Sequence, residues 1–189
     1  MTEIPARPNS PEMVAEQVQR QEQFTRVYQR ELRYVWKVLA RLGAPAAFRE
    51  DLVHDVFTTA YRQWPTYDAR RAVRPWLFGI AFRLFLDFVR KKQNHREEPV
   101  AEPEAVDARK SAEEMVAEAE GLRIAETVLQ SLELDRRAVF LLHEIDEVPI
   151  PEVAETLGIP PNTAYSRLRL ARRDFDAKVA EIQGHGGRP

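Results

Sequence analysis

Cysteine is absent from the 189 residues, glycine occurs only seven times, and no apolar run approaches the roughly 18–20 residues that span a bilayer. The first absence excludes a disulfide scaffold, a CxxC zinc site and thiol catalysis. Scarce glycine leaves no phosphate-cradling loop, and neither a nucleophile elbow nor a paired acid site is present, so no catalysis is expected. The amino-terminal stretch MTEIPARPNSPEM lacks the apolar centre of a secretion signal, so a cytoplasmic, reducing setting is expected. No cofactor is implied.

A bulk excess of either charge is also missing. There are 28 basic and 30 acidic residues, a net charge of −2, which at face value argues against a nucleic-acid partner. The distribution says otherwise. Between Tyr67 and Arg96 eight basic residues face two acidic ones, Asp68 and Asp87. Past Arg96 the sign reverses, with Glu97, Glu98, Glu102, Glu104, Asp107, Glu113, Glu114, Glu118 and Glu120 against Arg109 and Lys110. Pro99 and Pro103 interrupt that stretch, and it carries almost nothing bulky to bury. It reads as a flexible acidic linker.

What is abundant is helical periodicity. Phe24, Val27, Tyr28, Val35, Trp36, Leu39 and Leu42 recur at three- and four-residue steps and stop at Gly43-Ala44-Pro45. A second stripe, Leu52, Val53, Val56, Phe57, Ala60, Tyr61 and Trp64, ends at Pro65. A third runs from Pro75-Trp76 to about Lys92, and stripes resume from Leu122 to Ile182. No segment alternates as a strand does. The chain reads as all-α, with two small helical domains joined by a tether. The expected division is an extension over 1–22, a helical domain over 23–93, the linker over 94–121, a second helical domain over 122–183 and a tail over 184–189.

The second domain holds the sharpest signal. Asp135 can cap a helix running through Glu144. A short helix from about Pro151 to Leu157 follows, closed by Gly158, and Ile159-Pro160-Pro161 turns into a longer helix. That is a helix-turn-helix plan. On a wheel, Ala164, Leu168, Ala171 and Phe175 form the packing side of the longer helix. Asn162, Ser166, Arg169 and Arg173 point the other way, Thr163 and Tyr165 take the shoulders, and Arg167 and Arg172 the flanks. Short polar groups near a helix start suit base edges, and arginines suit guanine or phosphate. A solvated basic face is the bland alternative, and the turn signals upstream favour DNA.

In the first domain the helix from Trp76 leaves only a narrow polar stripe of Gly79, Arg83, Asp87 and Arg90. Asp87 can pair with both arginines across single turns. Arg70, Arg71 and Arg74 lie just upstream. An aromatic beside a basic track suits unstacked bases, though Phe78, Phe85 and Phe88 read as core. Gly79 costs a helix about 1 kcal/mol relative to alanine, which points to close approach of a backbone or a partner. Asp51, Asp55, Thr58 and Arg62 form a polar stripe on the preceding helix. Asp51, His54 and Asp55 have metal-like spacing, but no second ligand cluster exists and no metal is expected.

Two stretches together resemble the extracytoplasmic-function (ECF, group IV) sigma factors of the sigma-70 family. DLVHDVFTTAYRQWPTYD with PWLFGIAFRLFLDFVRKK resembles region two of that family, and LELDRRAVFLLHEIDEVPIPEVAETLGIPPNTAYSRLRLARRDF resembles region four. The resemblance implies a dissociable, non-catalytic subunit of bacterial RNA polymerase. It implies that Asp51, His54, Asp55, Thr58 and Arg62 dock on the clamp helices of the largest subunit, and that region four meets the flap of the second largest. It further implies that Tyr67, Arg70, Arg71, Arg74, Trp76, Gly79, Arg83 and Arg90 serve the −10 element. Asn162, Thr163, Tyr165, Ser166, Arg167, Arg169, Arg172 and Arg173 would serve the −35 element, and an anti-sigma partner is implied. Gly79 and Arg83 stand where the family commonly has arginine and asparagine, and Pro149 where it has a Ser or Thr cap. The rival readings are a self-standing dimeric helix-turn-helix regulator and a helical adaptor that binds no DNA.

Overall fold

The structure, a computed structural model, describes residues 11–95 and 124–185. Most of the acidic linker, the first ten residues and the last four lie outside the described residues. Seven α-helices and no strand occur among the described residues. They are α1 (Pro11–Leu42), α2 (Ala46–Gln63), α3 (Val73–His95), α4 (124–131), α5 (Leu134–Phe140), α6 (Ile150–Leu157) and α7 (Pro161–His185).

Helix ends follow the glycines. Gly43 takes a φ of +104°, and the Ala44 N–H reaches back to the Leu39 carbonyl at 2.9 Å, closing α1 with a left-handed cap. Gly158 does the same for α6 at a φ of +67°, with the Ile159 N–H on the Ala154 carbonyl at 2.9 Å. Pro45 and Pro149 precede α2 and α6 and supply no side-chain cap. After α2 a single 3-10 turn, Trp64–Thr66, leads into the loop before α3.

The helix after α4 departs from expectation. Its N-cap is Glu133, so Asp135 falls in the first turn and pairs with Arg167 instead of capping. The helical ladder also widens into a π turn over Leu141–Ile145 rather than continuing as α to Glu144. That turn delivers Asp146 toward α1, and Glu147 follows at a φ of +56°.

The expected core positions are largely buried: Val35, Leu39, Leu42, Val56, Phe57 and Ala60 in α1 and α2, Leu77, Phe78 and Phe85 in α3, and Ala164, Leu168 and Ala171 in α7. Tyr28 and Tyr61 are corrections. Each lies at the edge of its stripe and stays exposed, resting edge-on against Phe57 at 4.7 Å and Phe24 at 5.1 Å. The buried side chains of α1–α3 and of α4–α7 run into one contiguous core. The two helical groups are thus docked on each other, with α6 packed on α3.

Candidate nucleic-acid and polymerase interfaces

Helices α6 and α7 make the helix-turn-helix. Ala164, Leu168 and Ala171 face inward, and Phe175 stacks on Phe140 at 4.9 Å. Asn162, Tyr165, Ser166, Arg169, Arg172 and Arg173 are exposed, while Thr163 and Arg167 are half-buried. The arginines divide by their bonds. Arg167 pairs with Asp135, Arg172 with Glu144 at 2.6 Å, and Arg173 with Asp174 at 2.8 Å. Arg173 and then Arg136 hold the Asp174 carboxyl below its usual range. Arg169 makes no ion pair among the described residues, and its cation is available to a ligand. Ser166 donates to the Thr163 carbonyl at 2.9 Å, the local bond usual for a helical serine.

The loop between α2 and α3 is built on three stacked rings. Tyr67 lies parallel to Trp64 at 5.0 Å and tilts against Trp76 at 4.6 Å, and its hydroxyl donates to the Arg71 carbonyl. Trp64 reads in sequence as a core position, and its role as the floor of this stack emerges from the 3-10 turn. Arg70 forks onto Asp68 at 2.7 and 2.9 Å. Arg74 donates to Glu31 of α1 at 2.8 Å and lies 5.0 Å over the Tyr34 ring. Asp87 pairs with Arg90 at 3.8 Å, while Arg83 has no ion pair among the described residues, so only one of the two expected pairs forms.

On α2, Asp51, His54, Asp55 and Arg62 are exposed and Thr58 half-buried, opposite Leu52, Val53, Val56 and Phe57.

Several residues that fix this arrangement carry no sequence signal. Glu31 is buried, yet hydrogen bonds from Arg74 and Arg30 outweigh the desolvation and hold its carboxyl below the usual range. Arg137 is also buried and donates to the carbonyls of Leu42, Gln130 and Leu132 and to Gln130 Oε1 at 2.6–2.8 Å. Burial pushes its guanidinium down to about 10, so it remains cationic at neutral pH. Arg71 pairs with Glu155 of α6, and Tyr34 donates to Asp146. Gly79 is buried beneath α6, where a Cβ would sit 3.0 Å from the Thr156 carbonyl oxygen. The close approach expected of this glycine is made by the chain's own second half. The junction is not filled throughout: a cleft of about 460 Å³ lies between Arg74 and Pro75 on one side and Asp146, Val148 and Glu152 on the other.

Residues 27–95 match the family described as Sigma-70 region 2, and residues 122–175 the family described as Sigma-70, region 4. The chain belongs to the sigma-70 family. Within it the relatives define the ECF group. The ECF RNA polymerase sigma factor SigJ of Mycobacterium tuberculosis is 32% identical over 160 residues, covering 80% of this chain and 49% of that protein. The ECF RNA polymerase sigma-E factor of Escherichia coli is 26% identical over 164 residues, covering 80% and 85%. The chain thus spans about half the length of the first relative and most of the second. In fold it is similar to the sigma factor RpoE solved with the anti-sigma factor NepR from Bartonella quintana, at a TM-score of 0.69 and 18% identity over 84% of this chain and 97% of that one. It is also similar to CnrH solved with the cytosolic domain of CnrY, at a TM-score of 0.60 and 23% identity over 85% and 90%. The reading as a self-standing dimeric regulator is not favoured.

Proposed function

We propose that the chain is a non-catalytic promoter-specificity subunit that joins core RNA polymerase in the cytoplasm and directs it to particular promoters. The observation that carries this is one chain holding two separate surfaces whose chemistry suits nucleic acid. One is the exposed polar side of α7, and the other is the ring stack of Trp64, Tyr67 and Trp76 beside Arg70, Arg71, Arg74 and Arg83. The α7 side suits the major groove of a −35 duplex, with Asn162, Thr163, Tyr165 and Ser166 toward bases and Arg169 and Arg173 toward guanine or phosphate. The rings suit unpaired −10 bases, because stacking is sequence-tolerant and the flanking cations follow the backbone.

The stripe Asp51, His54, Asp55, Thr58 and Arg62 serves as the contact to the polymerase clamp, and the α4–α7 group meets the flap. Held on polymerase, two modest DNA contacts combine through effective concentration. An anti-sigma protein is the expected negative partner, since the sigma factor RpoE, of similar fold, was solved with the anti-sigma factor NepR. The test is promoter-specific transcription with purified core polymerase, with and without the chain. Added initiation at a subset of promoters is expected, and none at any genomic promoter would overturn the proposal.

A further inference from the structure

Helix α1 carries a charged face outside the surfaces on α2, α3 and α7. Over 26–41 it holds five basic residues, Arg26, Arg30, Arg33, Lys37 and Arg41, against one acid, Glu31. At about 100° per residue the five fall within about 80° of one another along about 22 Å of helix, and no other residue of 26–41 shares that arc. Val35, Val38, Leu39, Leu42 and Glu31 itself lie on the buried side. Arg26, Arg30, Arg33 and Lys37 are exposed and Arg41 is half-buried. Arg33 and Lys37 make no ion pair among the described residues, and Arg26 reaches Glu22 only at 4.0 Å. Like charges three and four residues apart weaken a helix, so a row left uncompensated is explained by a partner that neutralises it.

The buried Glu31 joins this row to the ring stack. Arg30 Nε donates to one Glu31 oxygen at 2.6 Å and Arg74 Nε to the other at 2.8 Å, while the two arginine side chains stay 65% and 59% exposed. Each guanidinium uses only its Nε on the carboxylate, so both forks are fixed and their terminal nitrogens are left unbonded among the described residues. Burial and then Asp68 raise the Tyr67 hydroxyl, while the charges of Arg71 and Arg30 oppose them, which puts Arg30 within electrostatic reach of the rings.

We propose that the row is a phosphate track: a nucleic-acid single strand leaving the Trp64, Tyr67 and Trp76 rings crosses Arg74 and Arg30 and follows α1 over Arg33 and Lys37. An acidic protein fits the face less well. The centre of a protein interface is depleted of charge and enriched in aromatics, and this arc holds cations alone, whereas a phosphate backbone needs only a row of cations. The track rests on the reading of the rings as the single-strand face.

The double variant Arg33→Ala/Lys37→Ala tests it, because both side chains are exposed and alanine is the better helix former, so thermal melting should match the parent. Fluorescence anisotropy of a labelled, mixed-sequence single-stranded 20-mer reads binding to the full chain. Affinity at about 50 mM salt should fall about fivefold or more. The dependence of log affinity on log salt should flatten by about 1.4, two phosphates at about 0.7 each. Arg109→Ala/Lys110→Ala, the same loss of charge placed in the acidic linker, should stay within roughly twofold of the parent. A duplex 20-mer should lose less than the single strand.

No binding by the parent, parental affinity in Arg33→Ala/Lys37→Ala, or equal weakening by both double variants overturns the track. Equal losses on duplex and single strand overturn the single-strand assignment. Displacement of the 20-mer by polyglutamate of equal charge as readily as by unlabelled 20-mer makes the row a face for acidic protein and overturns it as well. Absence of promoter-specific initiation alongside the expected binding losses would instead defeat the functional reading and leave the track standing.

Discussion

Tyr34 of α1 donates its hydroxyl to the carboxylate of Asp146, 112 residues further along the chain. The bond ties the π turn after α5 to the first helical group. Burial pushes the Asp146 carboxyl above its usual range, opposed by the Tyr34 hydrogen bond, and burial also pushes the Tyr34 hydroxyl up. Tyr34→Phe leaves the carboxylate without this donor and should cost about 1–3 kcal/mol in urea unfolding at neutral pH. Because the folded carboxyl is raised, its contribution is full below the usual aspartate range and is lost as pH rises through the folded value. Asp146→Asn should remove that pH dependence, and an unchanged profile would refute the assignment.

Arg137 donates to four acceptors, the carbonyls of Leu42, Gln130 and Leu132 and Gln130 Oε1. Arg137→Met should destabilise by at least ~3 kcal/mol, since buried carbonyls are left without donors. Arg137→Lys should recover only part of this, because an ammonium lacks the planar fork. Thermal unfolding of the three proteins checks the order.

Glu31 works in the opposite sense to Asp146. Burial raises its carboxyl, but the hydrogen bonds from Arg74 and Arg30 win and the folded value is lowered from 4.5. Its contribution is present above that unfolded value and is lost as pH falls through the folded one. Glu31→Gln should lower stability by about 1–2 kcal/mol at pH 7 and flatten the acid limb of the stability profile. Denaturant midpoints between pH 3 and pH 7 provide the measurement.

Glycine substitutions separate backbone strain from contact. At Gly158 a Cβ meets nothing within 4 Å, so Gly158→Ala should cost only the left-handed conformation, about 1 kcal/mol. Gly43→Ala adds the collision with Gln130 and with Arg137, whose guanidinium is held by its own bonds, and should cost more than Gly158→Ala. Equal losses would place Gly43 outside the contact.

Along α7, the arginines should part by role. Arg169→Ala should leave stability within about 0.5 kcal/mol, weaken duplex binding and reduce the salt slope by roughly one. Arg167→Ala also removes the pair with Asp135 and should show a stability loss besides. Salt titrations of duplex binding, paired with thermal melts, distinguish them. Polymerase affinity should be unchanged for Arg169→Ala.

The helices, their glycine stops and the two faces of α7 were legible along the chain, because apolar spacing and cap chemistry act within a few residues. The sequence also made the family visible, since the two motif-bearing stretches are contiguous. It placed Tyr28 and Tyr61 inside, where a stripe edge leaves them exposed, and it carried a cap at Asp135 that the N-cap at Glu133 displaces. How the helical groups meet emerged only on folding. Tyr34 with Asp146, Arg71 with Glu155, Arg137 with Leu42 and Thr156 over Gly79 pair residues 77–112 positions apart. Such contacts depend on surface shape and on charges brought together by folding, which no local period encodes. The mid-helix glycine was their one mark in the sequence, and only the folded chain shows that its partner is the chain itself.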